Sequence, residues 1–181
     1  MTTAAEDRTL VLVRHAKAEQ GGFDADHERE LTKRGQRDAR AAGTWLCDQG
    51  IGVDEVMCST ATRTLQTCEG IWSAGCSEAD IHEDHRIYDA SADRLLEVVR
   101  EADEDANVVM VVGHAPGIPA LASILAEGSG SDRAHDLMSE GFPTAGVAVL
   151  RFSGHWRDLA AGVARLDRFH VARAERQSAG A

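Results

Sequence analysis

The chain has 181 residues, 43% of them hydrophobic, and a formal net charge of −11. That length suits one domain with a sizeable core, and so acidic a surface excludes nonspecific binding to nucleic acid or to anionic membrane. No apolar run approaches the roughly 20 residues of a membrane span, and residues 1–9 lack the apolar centre of a secretory signal, so a cytoplasmic location is expected. The four cysteines, Cys47, Cys58, Cys68 and Cys76, show no Cys-x-x-Cys spacing and are expected to be structural thiols.

In chain order, residues 1–8 are polar and expected to fray. Leu10 to Val13 is an unbroken apolar run, the mark of a strand buried on both faces, and predicts a strand over 9–14 that ends on Arg14-His15. Residues 17–30, with Gly21-Gly22, read as a loop over the sheet edge. Thr32 is placed to cap a helix running to about Gln49, with Ala39, Ala42 and Leu46 on its inner face. A second strand is expected over 53–58, and a helix opened by Ser59 or Thr60 with Leu65, Cys68 and Trp72 as its buried stripe. Residues 80–88 suggest a weak strand and a loop. Ser91 caps a third helix that buries Leu95, Val98 and Ala102.

Residues 108–112 repeat the buried-strand pattern and end on Gly113-His114. Pro116 suits the first turn of a helix carrying Ile118, Leu121, Ala122 and Leu125. The Ser/Gly-rich segment 128–141 reads as a mobile loop near the site. A strand over 144–152, a turn at 153–156 and a partner strand over 158–166 complete the domain, and a polar tail covers 172–181. Alternating strands and helices imply an α/β fold. The expected form is a three-layer α/β/α sandwich, its sheet mostly parallel with an antiparallel C-terminal edge, in a single domain over 9–171.

Two buried strands thus each deliver a histidine to the carboxyl edge of one sheet, where ligands bind in open α/β folds. Arg63 falls in the first turn of its helix, where a cation opposes the helix dipole. The conflict disappears if Arg63 and free backbone N–H groups share a bound phosphate. Arg14 and Arg63 offer forked donors that match phosphate oxygens. A neutral imidazole at His15 is a competent nucleophile toward phosphorus, and the arginines and His114 would spread the charge on the equatorial oxygens. Such a pocket needs no metal or other cofactor. Cys76, His82 and His85 lack the paired spacing of a zinc site. His135, His155 and His170 are expected at the surface, and Arg151, Arg157, Arg165 and Arg168 on a solvated face.

Four segments carry a family resemblance. Arg14-His15-Ala16 resembles the Arg-His-Gly signature of the histidine phosphatase superfamily, which includes the phosphoglycerate mutases. Residues 59–67 are similar to its Ser-x-x-x-Arg-Thr-x-Gln-Thr segment, and Gly113-His114-Ala115-Pro116 to its second-histidine motif. Arg29-x-Leu31-Thr32-x-x-Gly35 is similar to the segment that opens its first helix. The motifs occur in order over about 9–166, and the short length and Arg-His-Ala-Lys-Ala start look closest to the SixA-type phosphohistidine phosphatases. The resemblance implies a phosphoglycerate mutase-like fold without a large cap, with His15 phosphorylated and Arg14, Arg63 and His114 binding and polarising the phosphoryl group, without a metal. Ala16 replaces the usual glycine, and Ala18 and Gly21 stand where mutases carry a serine and an asparagine.

The general acid is open. Asp89 is the candidate, with Asp84 and Glu83 behind it; capping the helix that follows is the commoner use of an Asp at such a place. An alkyl phosphate needs a protonated leaving oxygen, whereas the P–N bond of a phosphohistidine is weak. The expected activity is therefore removal of phosphate from phosphohistidine in a protein. The alternatives are a small-molecule phosphomonoesterase and a phosphoprotein-binding module without turnover.

Overall fold

The structure, a computed structural model, describes residues 7–21, 25–75 and 77–175. Six strands form one sheet in the order β3-β2-β4-β1-β5-β6. They are β1 (Asp7–Arg14), β2 (Glu55–Cys58), β3 (Ile81–Glu83), β4 (Val108–Gly113), β5 (Gly146–Ser153) and β6 (Arg165–Val171). β1, β4, β2 and β3 run parallel to one another, while β5 is antiparallel to both β1 and β6. The helices are α1 (Lys33–Asp48), α2 (Thr62–Trp72), α3 (Ala92–Val99), α4 (Gly117–Ala126) and α5 (Asp132–Ser139).

Side chains alternate across a strand, and β1 shows what that does to an all-apolar run. Leu10 and Leu12 point into a core shared with Leu95, Ile118, Leu121 and Trp156. Val11 and Val13 point into the opposite core with Ala39, Ala42, Leu46 and Ile71. The sheet is thus covered by α3 and α4 on one face and by α1 and α2 on the other, which is the expected three-layer sandwich. Among the described residues no helix is long and apolar enough to cross a membrane.

Several boundaries differ from expectation. β1 starts at Asp7 rather than Thr9, and Arg8 is buried, donating to the main-chain oxygens of Ala106 and Gly154. Ala61, not Ser59 or Thr60, is the N-cap of α2, and its buried face is Thr64, Thr67, Cys68 and Ile71, with Leu65 and Trp72 half-buried. The hydroxyls on that face find main-chain partners, so threonines go where a hydrophobic stripe was expected. The supposed mobile loop contains α5, capped by the Ser131 side chain. It buries only Ala134 fully, so no apolar periodicity marks it.

The partner strand lies at Arg165–Val171 rather than 158–166, and Trp156, expected in a turn, is fully buried with its indole N–H on the Ala106 oxygen. His170 is therefore a strand residue, stacked on Trp45 at 4.6 Å, and His135 lies in α5. Arg151 and Arg168 pair with Asp167 at the surface. Ala172 is buried, and Ala174 N–H reaches Asp38, so chain order persists past the expected start of the tail. Cys58 and Cys68 are buried free thiols, as expected. Cys47 is disulfide-bonded, a correction to its reading as a thiol. Cys76 lies outside the described residues.

The segment opening α1 shows how the site is anchored. Thr32 accepts from Gly35 N–H at 2.9 Å, and its own N–H donates to the Lys17 oxygen. A side-chain cap of this kind contributes about 1 kcal/mol. The loop after β1 lies so close to α1 that a Cβ on Gly35 would sit 2.1 Å from the Lys17 oxygen. Gly35→Ala must push that loop away. We expect it to cost about 1–3 kcal/mol, read as a lower urea midpoint with unchanged m value.

Candidate active site

The strand ladder sets the first two groups. β1 and β4 pair in parallel with Arg14 opposite Gly113, and His15 N–H continues the ladder onto the Gly113 oxygen. His15 and His114, each just past its strand, then face one another with ring centroids 5.3 Å apart. β2 pairs with β4 on the other side, and Ser59 N–H donates to the Val112 oxygen. That places the Ser59 hydroxyl 2.8 Å from His114 Nε2.

The motif at 59–67 is a set of ties. Thr67 Oγ1 accepts from Ala16 N–H at 3.0 Å and donates to the Arg63 oxygen at 2.7 Å, locking the turn that carries His15 onto α2. Gln66 Oε1 accepts from Leu31 N–H. Thr64 Oγ1 lies within hydrogen-bond reach of the Ser59 and Ala61 oxygens and closes the first turn of α2. Arg63, from that turn, is 5% exposed and brings Nη2 to 3.3 Å from His114 Nδ1. Arg14 donates from Nη1 to the Phe142 oxygen at 2.9 Å. Among the described residues two buried side-chain polar atoms lack a hydrogen-bond partner, and they are Arg14 Nε and Arg63 Nε. An unpaired buried N–H on a cation is costly, so both arginines are primed for an acceptor that the protein does not supply.

The protonation states follow from the contacts. His15 Nδ1 lies 2.7 Å from the Ala16 oxygen. A carbonyl only accepts, so Nδ1 carries the proton and Nε2 presents a lone pair. Burial lowers the His15 pKa to about 4, and the cations of Arg63 and Arg14 push the same way, against the Ala16 hydrogen bond. Burial, Arg63 and His15 lower His114 to about 3. Both rings are neutral at pH 7. Arg63 can only donate, so His114 Nδ1 accepts from it and Nε2–H faces Ser59. The site therefore offers one directed imidazole lone pair beside two guanidinium N–H groups without partners.

Of the acid candidates, Asp84 is committed elsewhere: it caps a short 3-10 turn and pairs with Arg86. Glu83 is exposed on β3. Asp89 is exposed with a positive φ of 54° and forms no hydrogen bond or ion pair among the described residues. Its neighbour Tyr88 is the residue that reaches the site, with its ring edge-on to His114 at 5.5 Å. His82 and His85 are exposed.

Sequence reasoning missed Ser59, Tyr88, Asp26 and His27. Asp26 Oδ2 accepts from Tyr88 Oη at 2.5 Å and from Arg63 Nη2 at 3.1 Å. The Tyr88 hydrogen bond is the largest cause of an Asp26 pKa lowered to about 2, helped by Arg63 and Arg29. His27 reaches the Thr60 hydroxyl and packs edge-on against Tyr88. For Asp26 and His27 the signal was their place in the loop ahead of the Arg29-x-Leu31-Thr32 segment, and for Ser59 its place at the head of the 59–67 motif.

Comparison with known proteins identifies the family. The family model of the histidine phosphatase superfamily (branch 1) matches residues 10–89, which include Arg14, His15 and Arg63. An uncharacterized protein of Mycobacterium tuberculosis (strain H37Rv) is 43% identical over 164 residues, covering 89% of this chain and all of that one. A solved structure from Nakamurella multipartitia, named as a candidate phosphohistidine phosphatase SixA, superposes with a TM-score of 0.77 at 37% identity, covering 94% of this chain and 99% of its own. Its counterpart from Agrobacterium tumefaciens gives 0.75 at 28% identity, covering 90% and 97%. With the fold, the motif order and near-complete coverage in agreement, this chain belongs to the histidine phosphatase superfamily and is a SixA-like phosphatase.

Proposed function

We propose that the protein removes phosphate from phosphohistidine in a protein, through a covalent phosphohistidine on its own His15 and without a metal. The observation that carries the reading is the lone pair of His15 Nε2 held neutral beside the unpaired Nε–H groups of Arg14 and Arg63. In the first step His15 Nε2 attacks phosphorus, the bond from phosphorus to the substrate nitrogen breaks, and the departing imidazole takes a proton from water. In the second step water attacks the His15 phosphoramidate, inorganic phosphate leaves, and His15 regains its lone pair. Arg14 and Arg63 neutralise charge on the phosphoryl oxygens throughout, the part metal ions play in other phosphoryl-transfer sites. His114 completes the oxygen-binding wall.

The choice of a P–N substrate rests on the leaving group. Asp84 is tied to Arg86, and Asp89 is exposed. Asp26 is held ionised by Tyr88 and Arg63. A substrate whose leaving group departs with modest protonation suits these residues better than an alkyl ester. One observation favours a second reading, a small-molecule phosphomonoesterase. An open cavity of about 570 Å³ adjoins Arg14 and is lined by Leu137, Phe142, Pro143, Phe169 and Val171 together with Glu140 and His170, which suits a largely apolar leaving group.

Phosphate release from a phosphohistidine protein and from p-nitrophenyl phosphate, measured side by side with chelator present, separates these readings. Wild type is expected to prefer the phosphohistidine protein, and His15→Ala to lose about 10⁴-fold or more of either activity. A strong preference for the ester moves the assignment to the second reading. A His15→Ala protein that still binds phosphate, beside a wild type without turnover, identifies a binding module instead.

The pH dependence is a separate check. A free-enzyme histidine with the ordinary pKa of about 6.5 would make kcat/KM fall below neutrality. With His15 at about 4, the nucleophilic form persists down to about pH 5. Once substrate ionisation is corrected for, kcat/KM is expected to stay flat from pH 7 to about 5 and to fall as pH drops through 4.

A further inference from the structure

We propose that Asp26 is the positioning residue for Arg63: it grips the Nη1/Nη2 end of the guanidinium and thereby turns the Nε edge toward the phosphoryl group. The inference rests on the phosphatase reading above for what that edge binds, though not for the grip itself. Arg63 Nη1 donates to the Asp26 main-chain oxygen at 2.6 Å, and Nη2 donates to Asp26 Oδ2 at 3.1 Å. One residue thus holds both prongs of the fork, with its backbone and with its side chain.

A guanidinium is planar and carries five N–H donors in fixed directions. Fixing the Nη1/Nη2 end therefore fixes where Nε–H points. That N–H is buried and has no partner, and the second hydrogen of Nη2 lies toward His114 Nδ1 at 3.3 Å. Nε–H is thus the donor that Arg63 keeps free for a phosphate oxygen, on the side of the guanidinium that faces His114.

Asp26 is itself held. Tyr88 Oη donates to Oδ2 at 2.5 Å, and Arg29 Nε donates to Oδ1 at 3.0 Å while its Nη1 reaches the Glu19 oxygen. Tyr88 also lies flat against the site, 5.9 Å from the Arg63 guanidinium carbon and edge-on to His114. The Asp26 side chain is 45% exposed, whereas that of Arg63 is 6% exposed. Core packing is therefore not its task, and its removal leaves no cavity. Nor does it serve to attract phosphate, because a carboxylate so close to an anion site works against binding. What remains is aim, and aim matters: a misplacement of about 1 Å at a reacting centre can cost about 10²-fold.

The test uses the full chain as wild type, Asp26→Ala and Asp26→Asn. The direct readout is the ¹⁵N-detected guanidinium signals of Arg63, with orthophosphate affinity and p-nitrophenyl phosphate kinetics beside it. In wild type the Arg63 Nη signals are expected to be separate, as for a guanidinium that cannot rotate. Asp26→Ala should merge them, weaken orthophosphate about tenfold and lower kcat/KM by about 10–100-fold, with the melting temperature unchanged. Asp26→Asn keeps a side-chain acceptor and should recover part of each loss, which a charge effect alone does not explain. Wild-type signals and phosphate affinity in Asp26→Ala overturn the proposal. If wild type neither binds orthophosphate nor turns over either substrate, the phosphatase reading falls, and the Arg63 signals in the two variants still decide whether Asp26 positions it.

Discussion

The site depends first on one register. β1 and β4 pair in parallel with Arg14 opposite Gly113, so the residues after each strand emerge level on the same edge. A slip of one residue would send His15 to the other face of the sheet, because side chains alternate with period two. Burial on both faces forbids that slip. Leu10 and Leu12 are committed to one core and Val11 and Val13 to the other, and the antiparallel partner β5 fixes the remaining edge of β1. The geometry of the candidate site is therefore held by hydrophobic matching in the middle of the sheet.

The second constraint is electrostatic. Two guanidinium groups and two imidazoles share a small buried volume in a chain whose net charge is −11. Were the histidines charged as well, four cations would crowd together in a largely buried site. Burial and the arginines settle this by keeping both rings neutral. The cations are in turn tethered at their outer ends, Arg14 to the Phe142 oxygen and Arg63 to Asp26. Neutral oxygens and one carboxylate hold them without filling their inner edges. Acidic composition and a cationic pocket are thus compatible: the surface carries the net charge, and the pocket is a local construction.

Those parts of the site that belong to regular elements were legible in the sequence. Continuous apolar runs reveal doubly buried strands, and Arg14, His15 and His114 are read from where the runs stop. Arg63 is legible because a cation in the first turn of a helix needs a reason. Thr32 is legible because capping is a local interaction of a side chain with the next turn, whereas the reason for Gly35, the Lys17 oxygen that crosses it, shows only in the fold. Asp26 and Tyr88 were not legible, since they meet only when residues 62 positions apart are brought together, and loops have no period. α5 escaped notice because a helix that buries a single alanine has no stripe. The last strand was misplaced because Leu159 and Trp156 are buried from a turn rather than from a strand, which mimics a strand pattern in one dimension.

In the reaction proposed above, the lowered basicity of His15 bears on what a phosphoryl group carried by that ring does next. At neutral pH an unperturbed imidazole is already mostly neutral, so a pKa near 4 adds little nucleophile. It also makes the ring less basic, and a less basic nitrogen attacks phosphorus somewhat more slowly. The compensation comes in the second step. The environment that disfavours a positive charge on His15 disfavours the phosphorylated ring as well, because phosphorylation of Nε2 places partial positive charge on the imidazole. A phosphoryl group bound there is held less firmly and passes to water more readily. A mutase needs the opposite, an intermediate that survives while its substrate turns round. In the proposed reaction, burial of His15 thus favours hydrolysis over a long-lived phosphohistidine.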